Sequence, residues 1–115
     1  MAESIKKNSE FQLVYKNGKS YGNKLLVMYA LKNDLNRNRL GISAGKKVGN
    51  SVVRHRIARL LRESFRLNDE KFHSGWDMVV VARPLARGKS FWEIESAFMH
   101  LAKLHGIINN ETAIY

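Results

Sequence analysis

Cysteine is absent from the 115 residues, which excludes disulfides and thiolate-held metals and makes a reducing compartment the default. Proline occurs once, at Pro84, and no repeat or low-complexity tract interrupts the chain, so nothing marks a linker between domains. Long apolar runs are also missing. The longest, residues 25–31, is far short of the roughly 20 residues that cross a bilayer, so no membrane partner is expected. Residues 1–8 are polar, without the apolar stretch of a secretory signal, and a cytoplasmic location is expected. There is no glycine-rich phosphate loop and no nucleophile elbow. His55, His73, His100 and His105 have no metal-ligand spacing, and His100 and His105 stand five apart where a helical pair of ligands needs three or four. Asp69 with Glu70 reads as a solvated loop pair, and Glu93 with Glu95 points to different sides of a helix. No catalytic residue and no metal ligand is therefore assigned to the chain.

What is scarce on the acidic side is abundant on the basic side. Twenty Lys and Arg face ten Asp and Glu, a formal charge of +10. Self-repulsion on that scale disfavours a compact state, and the usual compensation is a polyanionic partner whose bound counterions are released on contact. The length suits one domain spanning 1–115, with 44% hydrophobic residues to fill a core.

The apolar patterning predicts the order α, β, β, α, β, α, with room for an extra short strand. Phe11, Val14 and Tyr15 mark a short helix capped by Asn8 or Ser9 and ended by Gly18. In the strand at 25–31, Leu25, Val27, Tyr29 and Leu31 alternate with Leu26, Met28 and Ala30, apolar on both faces, so a sheet covered on both sides is expected. A second strand covers 40–44. The β-branched run at 77–83 reads as a buried central strand stopped by Pro84. Ser90 and Glu93 form a capping box for a last helix with the stripe Phe91, Ile94, Ala97, Phe98, Leu101 and Leu104, closed by Gly106. Residues 107–115 are left unplaced. The fold class is an α/β (α+β) sandwich of helices on one sheet.

The helix at 51–67 carries the most information. At 100° per residue, Val53, Ile57, Leu60, Leu61 and Phe65 fall within about 140° of arc, and His55, Arg59, Arg62 and Arg66 lie nearly opposite. Arg54 and Arg56 flank this basic stripe, and Lys46 and Lys47 precede the helix, whose amino end favours anions. Like charges at i, i+3 and i+4 cost a few tenths of a kcal/mol per pair. A solvated face normally dilutes them with acids, and here only Glu63 interrupts. Arginine's planar fork matches phosphate oxygens in pairs and stacks on bases. Asn and Gln, the side chains that read base edges in a DNA major groove, are missing from this face, which speaks against DNA.

The run from Lys46 to Glu63, with Lys46-Lys47-Val48-Gly49-Asn50 leading into Arg54-His55-Arg56 and Arg59-Leu60-Leu61-Arg62, resembles the signature of the bacterial ribonuclease P protein. Phe11-Gln12, Tyr15-Lys16-Asn17-Gly18, Leu40-Gly41-Ile42-Ser43 and Val80-Val81-Ala82-Arg83 match family landmarks in the same order, so the resemblance spans roughly residues 6–104. His55 stands where the family usually has Asn, and Ala58 where a basic residue is common. The resemblance implies a left-handed βαβ crossover, against the right-handed general rule. It also implies the role of protein subunit in an endoribonuclease whose RNA carries out catalysis. Its partners would be ribonuclease P RNA and precursor tRNA, with Mg2+ entering through the RNA and the 5′ leader as the segment removed. Lys46, Lys47, Arg54, His55, Arg56, Arg59, Arg62 and Arg66 would meet the catalytic RNA. Phe11, Tyr15 and Tyr29 would line a cleft for the single-stranded leader, although their spacing alone fits core positions as well. The competing function is a non-catalytic ribosomal or ribosome-assembly RNA-binding protein.

Overall fold

In the computed structural model, which describes residues 3–108, a five-stranded sheet carries helices on both faces. The elements are β1 (Glu3–Ser4), α1 (Asn8–Asn17), β2 (Lys19–Gly22), β3 (Leu26–Lys32), β4 (Arg39–Ser43), α2 (Ser51–Asn68), β5 (Trp76–Ala82) and α3 (Phe91–Leu104). The sheet order is β1-β4-β5-β3-β2. β4 and β5 run parallel with α2 as their crossover, and β3 is antiparallel to both β5 and β2. The six predicted elements are all present. The extra strands are two, β1 and β2, both short and polar enough to leave no alternation in the sequence.

The alternation in β3 sorts side chains between two cores. Leu26, Met28 and Ala30 are buried; Leu26 and Met28 join Leu40, Met78 and Val80 under α2 and α3. Tyr29 and Leu31 turn to the other face, where Val14, Val79 and Ile5 make a small cluster under α1. The β-branched run of β5 contributes to both faces, Val80 to one and Val79 to the other. That is the two-sided burial expected of a central strand.

Local chemistry sets the ends. α1 starts one residue earlier than predicted, with Lys7 at the N-cap, because the Glu10 carboxylate turns back to accept from the Lys7 N–H at 3.5 Å. At its other end Gly18 is required for closeness rather than for a left-handed turn. Its backbone is extended, and a Cβ there would stand 2.6 Å from the Val14 carbonyl oxygen and 3.0 Å from that of Ala30. α3 opens on the expected capping box, with the Ser90 N–H donating to Glu93 at 3.0 Å and the Glu93 N–H donating to Ser90 Oγ at 3.2 Å. Asn38 closes the β3–β4 turn onto the residues before β5, donating to the His73 carbonyl and accepting from the Trp76 N–H. Of the unplaced tail, Ile107 is buried and Ile108 bridges Phe72; residues 109–115 lie outside the described residues.

Candidate nucleic-acid interface

α2 is phased as its sequence pattern predicts. Asn50 caps it, its Oδ1 accepting from the Val53 N–H at 3.0 Å. Ile57, Leu61 and Phe65 are fully buried against the sheet and α3, while Val53 and Leu60 are partly covered. Two polar residues that the wheel did not place inside are buried as well. Ser64 Oγ donates to the Leu60 carbonyl, and Asn68 Nδ2 donates to the Ser64 carbonyl and to Glu95. Both are satisfied, so the seam between α2 and α3 tolerates them.

The predicted basic residues separate into three groups. His55, Arg59 and Arg62 are exposed on α2, with Lys46 and Lys47 exposed in the turn that leads into it. Among the described residues no carboxylate pairs with Arg59 or Arg62. Arg66 is exposed too, but Glu63, one turn earlier, holds its guanidinium and lies within the same face. Arg54 and Arg56 are half-buried. Arg56 Nη1 donates to the Lys89 carbonyl at 3.0 Å, fastening α2 to the segment that enters α3. Arg54 Nε is shielded from solvent without a hydrogen-bond partner.

On the opposite face of the sheet, α1 and β4 enclose an open cleft of about 350 Å³ lined by Asn8, Phe11, Gln12, Tyr15, Ile42 and Ser43. Phe11 and Tyr15 present tilted rings 6.4 Å apart, and Tyr29 meets Tyr15 edge-on at 4.9 Å. Two of the three predicted aromatics therefore line the cleft, and Tyr29 stands behind Tyr15 as its support. Asn8, Gln12, Ile42 and Ser43 were not foreseen; polar residues on a short helix and a half-apolar strand end give no periodic signal. Gly41 did leave one, a glycine inside a strand. A Cβ at Gly41 would lie 2.9 Å from the Phe11 ring, so its absence lets that ring lie against the sheet.

One ionic network fixes α1 over this cleft. Arg39 on β4 donates from Nε and Nη2 to both oxygens of Asp77 on β5, at 2.8 and 2.6 Å, and from Nη1 to Glu10 on α1 at 2.7 Å. Asn33 adds a third bond to Asp77 at 2.8 Å. Asp77 is almost wholly buried. Burial pushes its carboxyl up, but the hydrogen bonds from Arg39 and Asn33 and the charge of Arg39 together hold it below the usual carboxylate range. Arg39 likewise lowers Glu10. Both carboxylates are thus engaged, and among the described residues no cluster of three or more His, Asp or Glu is placed to hold a metal ion. Nor is any of the described helices long and apolar enough to cross a membrane.

Comparison with known proteins bears on the fold and the family. The pattern of the family described as Ribonuclease P matches residues 1–105. The chain is similar to the "Ribonuclease P protein component" of Lachnoclostridium phytofermentans, 64% identical over 110 residues that cover 96% of this chain and 95% of the relative. The same component from Clostridium botulinum strain Langeland is 52% identical over 106 residues, covering 91% and 96%. Among solved structures, the RNase P protein of Staphylococcus aureus superposes with a TM-score of 0.86 at 36% identity, covering 95% of this chain and all of that one. The RNase P protein from Thermotoga maritima gives 0.79 at 30% identity, covering 85% and 93%.

Proposed function

The chain belongs to the ribonuclease P protein family, the protein component of an endoribonuclease of tRNA processing, and on that premise we propose how its two exposed features divide the work. α2 docks on the catalytic RNA. Lys46, Lys47, His55, Arg59, Arg62 and Arg66 meet phosphates, and Arg54 and Arg56 complete the contact from the rim. The observation that carries this reading is the split of α2 itself, with Ile57, Leu61 and Phe65 buried while His55, Arg59 and Arg62 stay exposed. A helix that keeps unpaired like charges in a row gains from a polyanion what it loses in self-repulsion.

The cleft takes the single-stranded 5′ leader of precursor tRNA. Unpaired bases stack on Phe11 and Tyr15, and the chain's net charge of +10 draws the phosphate backbone toward it. Tyr29 holds Tyr15 in place, and the Arg39 network holds α1 at its distance from β4. The Mg2+ that hydrolysis requires resides with the RNA, and no proton or metal step is assigned to the protein. The setting is the cytoplasm, in keeping with the lack of cysteine. The experiment is reconstitution: adding the protein to ribonuclease P RNA restores cleavage of precursor tRNA at low magnesium. An RNA whose low-magnesium activity is unchanged by saturating protein overturns the assignment.

A further inference from the structure

A second aromatic feature lies away from the cleft, at the start of α3. Trp92 is 72% exposed and meets Phe91 in a T-shaped contact with ring centroids 5.1 Å apart. Its side chain borders an open cavity of about 490 Å³ that also receives Asn23, Lys24, Ser96 and His100. Asn23 gives this cavity a fixed floor. Its Oδ1 accepts from the Leu25 and Leu26 N–H groups, and its Nδ2 reaches the Ala97 carbonyl at 3.0 Å and His100 Nδ1 at 3.2 Å. Arg83 Nη1 donates to the Asn23 carbonyl at 2.9 Å. The exposed ring thus borders a largely apolar cavity, Leu25 and Ala97 included, in which the amide of Asn23 is held fixed.

The charges around it choose the partner. Lys24 lines the cavity and is exposed, and Arg83, also exposed, is bonded to the Asn23 carbonyl. Glu93, which also lines the cavity, bends back to the Ser90 N–H, and Glu95 is bonded to Asn68. A second copy of this chain would bring its own +10, whereas a nucleotide brings a π-face for Trp92 and a phosphate for the cations. The site is also continuous with α2, since the Arg56–Lys89 hydrogen bond joins that helix to the segment entering α3. The leader cleft belongs to the other face of the sheet. We propose that Trp92, with Lys24 and His100, is a stacking platform for one unpaired base of the same RNA that docks on α2. The platform rests on that RNA reading of α2 and adds a contact to it.

The chain has two tryptophans, so Trp76→Phe leaves Trp92 as the sole reporter in the full-length protein. Titration with ribonuclease P RNA should quench Trp92 emission in step with binding measured by filter retention. Trp92→Ala should weaken that binding roughly five- to a hundred-fold, Trp92→Phe should retain most of it, and melting should be unchanged. RNA that binds while Trp92 emission stays constant overturns the platform and leaves the α2 reading standing. RNA that does not bind at all overturns the α2 reading, and the platform with it. Quenching by precursor tRNA but not by ribonuclease P RNA, or an emission shift with rising protein concentration and no RNA, assigns the surface elsewhere and equally overturns the proposal.

Discussion

The two faces of the sheet are built on different terms. Under α2 and α3 the core is wide and aliphatic, with Phe65, Phe72 and Phe98 interlocked at centroid distances of 4.8 to 6.4 Å. Under α1 the buried apolar side chains among the described residues are Ile5, Val14 and Val79, and Phe11, Tyr15, Tyr29, Leu31 and Val81 are left partly open. The ionic bonds of Arg39 do there what apolar area does on the other side. Apolar burial is roughly proportional to area removed from water and has no directional requirement. A face held by two ion pairs can instead leave its aromatic rings partly uncovered. That difference explains how one thin domain keeps a rigid platform for α2 and an open cleft beside α1.

The comparison breaks first at its anchors. Phe98→Ala removes a fully buried ring from the wide core and should cost about 3–5 kcal/mol. Arg39→Ala leaves Asp77 buried without its charge partner and should cost about 3 kcal/mol, a fall in melting temperature of roughly 10 °C or more. The pH dependence separates them. Asp77 has a folded-state pKa below its unfolded value, so its contribution is present above about pH 4 and is lost as pH falls through the lower, folded value. Phe98→Ala should keep this acid limb in melting curves, and Arg39→Ala should flatten it. Equal acid limbs in both variants would mean that the α1 face is not held ionically.

The aromatic rings sharpen the comparison at the level of ligand. Tyr15→Ala should weaken precursor tRNA by about 1–3 kcal/mol, roughly five- to a hundred-fold, and leave mature tRNA, which has no leader, unaffected. Tyr29→Ala acts one ring further back. It should lower the melting temperature more than Tyr15→Ala does, and change the precursor-to-mature affinity ratio less. A Tyr29 variant with an intact melting curve and the larger loss of ratio would place Tyr29, not Tyr15, against the leader.

Smaller in energy is the effect of a single arginine on α2. If four to six phosphates are neutralised, log affinity for the catalytic RNA should fall against log salt with a slope of roughly −3 to −5. Arg59→Ala and Arg62→Ala should each make the slope shallower by about 1, without unfolding the protein. Arg66→Ala should do less, because Glu63 already holds that guanidinium. A slope near zero for the unaltered protein would remove electrostatics from the argument for α2.

The wide core was the more legible half. Helical and strand periods report burial, and Ile57, Leu61, Phe65, Ile94, Phe98 and the β5 run all sit on the faces their spacing predicts. The exposed basic stripe of α2 was legible for the same reason. The α1 face was less so, because it rests on pairings distant in sequence. Nothing local says that Arg39 will meet Asp77, 38 residues on, or that Glu10 will join them. Tyr29 shares its strand face with Val27 and Leu31, and period alone cannot tell a ring that lines a cleft from one that backs it. The β2 strand Lys19–Gly22 is exposed along most of its length, so it carries no alternation to read.

One titrating group sits at the edge of the wide core, against Tyr21. His105 ends α3, its Nε2 lies 2.8 Å from the Met28 carbonyl oxygen, and its ring packs edge-on against Tyr21 at 4.7 Å. Burial chiefly holds its pKa below the ordinary histidine value, with Lys19 adding to the fall and the bond to Met28 opposing it. A histidine kept neutral in the fold binds fewer protons than in the unfolded chain between its folded pKa and about 6.5. Stability should therefore be whole above that window and decline as pH falls through it. The decline should be small, since the ring is partly solvated, and it lies well above the acid limb of Asp77. His105→Gln, whose amide can still donate to the Met28 carbonyl, should abolish the difference in melting temperature between about pH 7.5 and 5.5. The same variant should retain the carboxylate limb near pH 4. Persistence of the upper limb in His105→Gln would trace it to a group other than His105, and the wide core would then be insensitive to pH in this range.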